Sequence, residues 1–301
     1  MQILFPFIGR LLLIAGGLVA IAYVCVCLLL FFQQQRLIFF PSAVIDITPA
    51  VFNLRYQDVW LPVTTVAGTV ERMHGWWIPA DTPAVGTLLY LHGNGINISA
   101  NVNQAHRFQQ LGFSVLLIDY RGYGRSEGRF PTETQVYQDG EVAWNYLTQE
   151  RQIPPEQIFL YGHSLGAAIA LDLAVQHPTA AGLILESPFT SLREMVDQVG
   201  QYRIFPADLL LRQRFDSLRK IKSLQMPILL IHGTADTLIP ARMSQVLFAA
   251  AAEPKQLLLV PGAGHNDVGE VGGDQYLQAV QNFIRQVQAR QMQPAKQVNP
   301  P

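Results

Sequence analysis

At 301 residues, 50% hydrophobic and 14% charged, the chain has material for one large core or two small ones. Its formal net charge of -1 offers no basic excess to displace counterions from phosphates, which excludes nucleic acid as an expected partner. Both cysteines, Cys25 and Cys27, lie in one apolar block near the start, so the rest of the chain holds no thiol for a disulfide, a cysteine-rich zinc site or a nucleophile.

That block, "LLLIAGGLVAIAYVCVCLLLFF" from Leu11 to Phe32, carries no charge. About 22 residues at 1.5 Å each reach roughly 33 Å, close to the hydrocarbon thickness of a bilayer. One transmembrane helix is predicted over about 11–32, within an N-terminal membrane anchor of residues 1–36. A cleaved signal peptide would have a shorter apolar region and a small-residue cleavage site, whereas "QQQRLIFFP" follows here, so the segment reads as a signal-anchor. Arg10 stands before the run and Arg36 after it, which leaves the orientation of a single-pass protein open.

From about residue 55 short apolar runs alternate with amphipathic stretches. "YQDVWLPV", "TTVAGTV" and "ERMHGWWIP" are turn-separated strand patterns that suit an antiparallel edge. "TLLYLHG", "SVLLIDY", "QIFLYGHS", "GLILESP", "PILLIHG" and "QLLLVPG" are continuous Leu, Ile and Val runs, which suit strands buried on both faces. Helical patterns near 98–111, 133–149, 165–177, 241–252 and 274–290 complete the rhythm of an α/β fold, a mostly parallel sheet with helices on both faces. The sequon Asn97-Ile98-Ser99 is read as a polar helix start before a glycosylation site. The tail over 291–301 is polar and proline-containing and is expected to be disordered.

In "YGHSLGAAIALDLA", Gly162-His163-Ser164-Leu165-Gly166 falls where a buried strand must turn into a helix. Glycines two residues either side remove side chains that would clash in so tight a bend, which reads as a nucleophile elbow; the plainer alternative is a capping serine between turn glycines. A serine hydroxyl needs a base, and the base an orienting acid. His265, in "PGAGHND", follows the last strand pattern in a glycine-rich loop and is the expected base. Asp236, in "IHGTADTLIP", lies just past the penultimate strand and is the expected acid, in the chain order Ser, Asp, His. Glu186, in "LILESPF", ends an earlier strand and is the competing acid. His74, His106 and His177 are read as packing or surface residues, His232 as structural, and Ser126 of "RGYGRSEG" as a loop residue.

"LYLHGNG", "DYRGYGRSEG", "LYGHSLG", "ESPFTSLREMV", "LLIHGTAD" and "GAGHND", in order over roughly 55–290, together resemble the α/β-hydrolase superfamily. Within it they are most similar to a membrane-anchored, single-domain branch that includes lipid hydrolases and protein depalmitoylases and is often labelled serine-aminopeptidase-like. The resemblance implies an α/β-hydrolase domain over 37–290, catalysis by Ser164, His265 and Asp236, and an oxyanion hole from the N–H groups of Leu165 and of Asn94 in "HGNG", with His92 shaping that loop. It implies acyl transfer to water with no cofactor and no metal, on an ester, thioester or amide. The substrate would be a small molecule or a lipid acyl group. An aminopeptidase-type serine peptidase and an inactive membrane-tethered interaction domain stand as alternatives.

About 40 residues separate the strand ends near 186 and 227, too many for a simple crossover, and are expected to form a small helical cap over about 187–226. Phe189, Met195 and Phe205, with Ile204, Leu209 and Leu210, are candidates for an acyl-chain pocket or for packing the cap. Arg212, Arg214, Arg219, Lys220 and Lys222 form a basic run that suits either a solvated helix face or contact with anionic lipid.

Overall fold

The computed structural model describes residues 4–81 and 83–292. The disordered tail expected over 291–301 lies outside them beyond Met292. Helix α1, Leu4–Ile38, is 35 residues and so about 52 Å long; it is the one helix among the described residues long and apolar enough to cross a membrane. It runs on past Phe32 through "QQQRLI", and the chain then enters the domain with no linker: Phe39 is buried, and Phe40–Pro41 pairs in parallel with Gly95–Ile96.

Eight strands form one sheet. They are β1 (Gln57–Thr64), β2 (Val70–Ile78), β3 (Gly86–Leu91), β4 (Phe113–Ile118), β5 (Ile158–His163), β6 (Gly182–Glu186), β7 (Ile228–Gly233) and β8 (Lys255–Val260). Their order is β8-β7-β6-β5-β3-β4-β2-β1, parallel from β8 to β4, with β2 antiparallel to both β4 and β1. The expected antiparallel edge is therefore present, but "TTVAGTV" is mostly its hairpin turn: Thr65 and Thr69 pair across it. β3, β4, β6 and β7 are buried along their whole lengths, as continuous apolar runs require when helices cover both faces.

Successive side chains feed two cores. On β3, Leu89 and Leu91 join one layer with α3 (Glu133–Asn145), α4 (Leu165–Gln176) and α8 (Arg242–Ala250). Leu88 and Tyr90 join the other, with α2 (Val102–Gln110) and α9 (Val268–Gln291). α9 breaks at Gly273, where φ is 43°, so its regular part starts where the helical pattern was expected. Between β6 and β7 lie α5 (Leu192–Val199) and α6 (Ala207–Leu210), over the carboxyl end of the sheet, and α7 (Ser217–Ile221), which packs against α4 and α8. Asn97 is fully buried, accepts from Ser99 N and donates to the Ser42 and Val44 carbonyls, so the sequon serves as a helix start and is closed to glycosylation.

Candidate active site

Ser164 sits between β5 and α4 with φ 55° and ψ -118°, a strained backbone for a residue with a side chain. It occupies the cap position of α4, yet its hydroxyl makes no cap bond, which removes the plain capping reading. The bend is possible only because three backbones touch. A Cβ on Gly166 would lie 2.0 Å from the Leu91 carbonyl oxygen, and one on Gly162 would lie 2.2 Å from that of Gly166. The turn puts Ser164 at the carboxyl edge of the sheet, where the loops after β7 and β8 also arrive.

The structure brings the three expected residues together. Ser164 Oγ lies 3.0 Å from His265 Nε2, and His265 Nδ1 donates to Asp236 Oδ2 at 2.7 Å. Asp236 Oδ1 accepts from the N–H groups of Leu238 and Ile239, both at 2.8 Å. Burial pushes the Asp236 carboxyl up, but bonds from His232, His265 and Ile239 outweigh it and hold the group well below the ordinary carboxylate range. His232 is itself fixed, donating to the Ile239 carbonyl at 2.8 Å and meeting Ser244 Oγ at 2.6 Å.

Glu186 is held elsewhere. It accepts from Tyr276 Oη at 2.8 Å in the α2 and α9 layer, and burial raises its pKa. Only its backbone serves the elbow, its carbonyl accepting from Ser164 N at 2.9 Å.

His163 escaped the sequence reading. Its Nε2 donates to the His265 carbonyl at 3.0 Å, which fixes the loop carrying that residue; burial and the nearby His265 push its pKa down to about 4, so it is neutral near pH 7. The signal was its place inside the elbow pentapeptide. His74 is wholly buried against Asp58, His106 stacks on Phe52 and His177 on Trp144, all packing roles. Ser126 ties the loop after β4, donating to the Asp119 carbonyl at 2.8 Å.

Asn94 and Leu165 line the same cavity as Ser164. Leu165 opens α4, so its N–H is among the amides that no helical carbonyl can reach. The Asn94 loop lies against the elbow, since a Cβ on Gly93 would come within 3.4 Å of Ser164 Cβ. The Asn94 side chain donates to the Ile38 carbonyl at the end of α1 at 2.8 Å, and its own carbonyl accepts from Phe40 N and Tyr123 Oη.

The cavity is about 310 Å³. Phe189, Met195, Phe205 and Leu210 line it, as the acyl-pocket expectation requires, whereas Ile204 and Leu209 turn outward, 71% and 79% exposed. No carboxylate lines it among the described residues. The basic run does not form one face: Lys220 pairs with Asp172 at 2.6 Å, Arg219 with Asp216, and Arg212 lies over Phe31.

Known proteins place this architecture. A family model described as serine aminopeptidase, S33, matches residues 82–215, and one described as PhoPQ-activated pathogenicity-related protein matches residues 190–301. The Mycobacterium tuberculosis protein Rv2307c is 38% identical over 93% of this chain and 94% of its own length. Human alpha/beta hydrolase domain-containing protein 17B is 36% identical over 78% of each chain. Among solved structures, the Pyrococcus furiosus esterase Pf2001 has a TM-score of 0.67 at 21% identity, covering 82% of this chain and 98% of that one. The chain belongs to the α/β-hydrolase superfamily and is a hydrolase.

Proposed function

We propose that the protein is a membrane-anchored serine hydrolase that cleaves the ester or thioester of a lipid or acylated substrate. In this reading residues 1–36 are the anchor and 37–290 the hydrolase domain, with a cap over about 187–226. The observation that carries it is the unbroken contact from Ser164 Oγ through His265 to Asp236 at the floor of an apolar cavity.

His265 Nε2 takes the Ser164 proton as Oγ attacks the carbonyl carbon. The oxygen that becomes negative meets the N–H groups of Leu165 and Asn94, where losing one donor typically costs roughly 3 kcal/mol in the transition state. The C–O or C–S bond breaks as His265 returns the proton to the leaving alcohol or thiol. Water then attacks the acyl-Ser164, giving its proton to His265, and Ser164 leaves with that proton as the carboxylic acid departs. Asp236 holds the imidazole with Nδ1 protonated and stabilises the imidazolium between steps. A low carboxylate pKa suits that role, because Asp236 stays ionised throughout.

An aminopeptidase would need a carboxylate to receive a substrate amine, and the cavity lining supplies none among the described residues. The test is labelling by a fluorophosphonate probe. Stoichiometric modification at Ser164, lost in Ser164→Ala, is expected; equal labelling of the variant would move the nucleophile to another serine.

A further inference from the structure

The cavity above Ser164 has a wall that the reaction does not call for. Ser164, Leu165 and Asn94 line it together with the cap, but so does α1, through Leu30, Gln34, Leu37 and Ile38. Helix and cap are joined by specific bonds. Gln34 is only 6% exposed; it accepts from Arg212 N at 2.8 Å and Gln213 N at 3.1 Å, and donates to the Leu210 carbonyl at 3.2 Å. Further back along α1, Tyr23 Oη donates to the Ile204 carbonyl at 2.8 Å, and its ring stacks on Phe205 at 5.5 Å.

Tyr23 lies well inside the uncharged run, about 16 Å along the helix from Gln34. With that run in hydrocarbon, Ile204 and Phe205 lie at the same depth. The outer surface of the cap fits such a setting. Ile204 and Leu209 are 71% and 79% exposed and Val199, at the rim of the cavity, is 53% exposed, large apolar side chains that water would penalise and lipid would not. Of the charges on this part of the cap, Arg193 pairs with Asp197 and Asp208, Arg203 is exposed and its side chain donates only to the Asp197 carbonyl, and the Arg212 guanidinium packs over Phe31 near the polar end of the run, where an arginine reaches headgroups.

We propose that the mouth of this cavity opens into the bilayer, and that the site takes an acyl chain, joined to its head by an oxygen ester or thioester, laterally from one leaflet, with α1 as a wall of the acyl site. The proposal rests on the serine hydrolase reading above and adds the substrate class and its route of entry. A chain longer than the cavity accommodates continues into lipid beside α1.

The test compares Leu30→Trp with Leu29→Trp in the full chain, reconstituted in phosphatidylcholine vesicles. The two positions share one depth, but Leu29 is 58% exposed and lies outside the cavity lining. Dodecanoyl and acetyl substrates are offered in two arms, as monoacylglycerols and as S-acyl peptides, and the arm with the higher turnover identifies the source of the chain. Leu30→Trp is expected to lower the dodecanoyl-to-acetyl ratio of kcat/KM about tenfold or more, and Leu29→Trp to leave it within about twofold. The same ratio in both variants overturns the proposal.

A readout independent of turnover uses Ser164→Ala in the same vesicles with a monoacylglycerol bearing a diazirine in its chain. Crosslinks at Leu30, Leu37 or Phe205 support the acyl site, and crosslinks confined to Leu28 and Leu29 overturn it. Crosslinking in the cavity of the variant, together with a parent protein that hydrolyses neither substrate, would keep the acyl site and remove the hydrolase reading.

Discussion

The turn that presents Ser164 and the cavity above it are built from different materials. At the turn, backbone meets backbone: Gly162, Gly166 and the Leu91 carbonyl leave no room for a single added carbon. Apart from Gln34, the cavity is walled mostly by leucine, methionine and valine side chains from α1, α5 and α6 and by Phe189 and Phe205 of the segments beside them, none of which holds another by a polar bond. The first arrangement sets the position of one oxygen and tolerates no side chain at either glycine. The second sets a volume, which single substitutions can enlarge or fill without moving that oxygen.

The sharpest way to break this contrast is at the turn. Ser164→Ala should lower kcat by about 10⁴-fold or more while thermal unfolding stays near that of the parent, since it removes one oxygen that makes no cap bond and leaves the backbone of the turn unchanged. Asp236→Asn should lower turnover by about 10³ to 10⁴-fold, because an amide can hold His265 in the wrong tautomer, while Glu186→Gln should stay within about tenfold. The opposite ranking in folded proteins would hand the orienting role to Glu186. On the cavity side, Met195→Ala should leave acetyl ester turnover near that of the parent and move the preferred acyl chain to greater length, by about tenfold in the ratio of long to short substrates. An equal fall on all chain lengths would mean that the cavity wall also holds the turn.

The smallest effect concerns pH. His163 is neutral in the folded protein, with its pKa lowered to about 4 from an ordinary 6.5. The unfolded chain therefore binds the extra proton first, and stability falls as pH drops from about 6.5 toward about 4. His163→Gln should flatten that part of a plot of unfolding midpoint against pH; an unchanged slope would place the acid sensitivity in other groups.

Much of the turn was legible in the sequence, because its requirements are local. A glycine two residues on either side of a serine, after a buried run and before a helix, admits few conformations, and His265 and Asp236 each sit just past a strand whose apolar run marks its end. The cavity was less legible. Phe189, Met195 and Phe205 could be named, but the part played by α1 could not, since Gln34 reads as one of three glutamines after an apolar run and its cap partners lie 176 to 179 residues away. His163 was missed for a related reason: its partner is a backbone carbonyl 102 residues on, which no local pattern records. "TTVAGTV" misled because its threonines and valines have strand propensity, while Gly68, at φ 80°, makes it a turn.

The passage from α1 into the domain has a consequence for reach. Ile38 closes the helix on the Asn94 side chain, Phe39 is buried, and Phe40 is already paired, so no flexible leash separates helix from domain. A domain on a leash samples a sphere of positions and meets substrates at any height within it. This one, with α1 across a bilayer, would hold Ser164 at a fixed altitude. Acyl groups carried at that level would be met at every lateral encounter, and those presented far above the headgroups would be out of range whatever their chemistry.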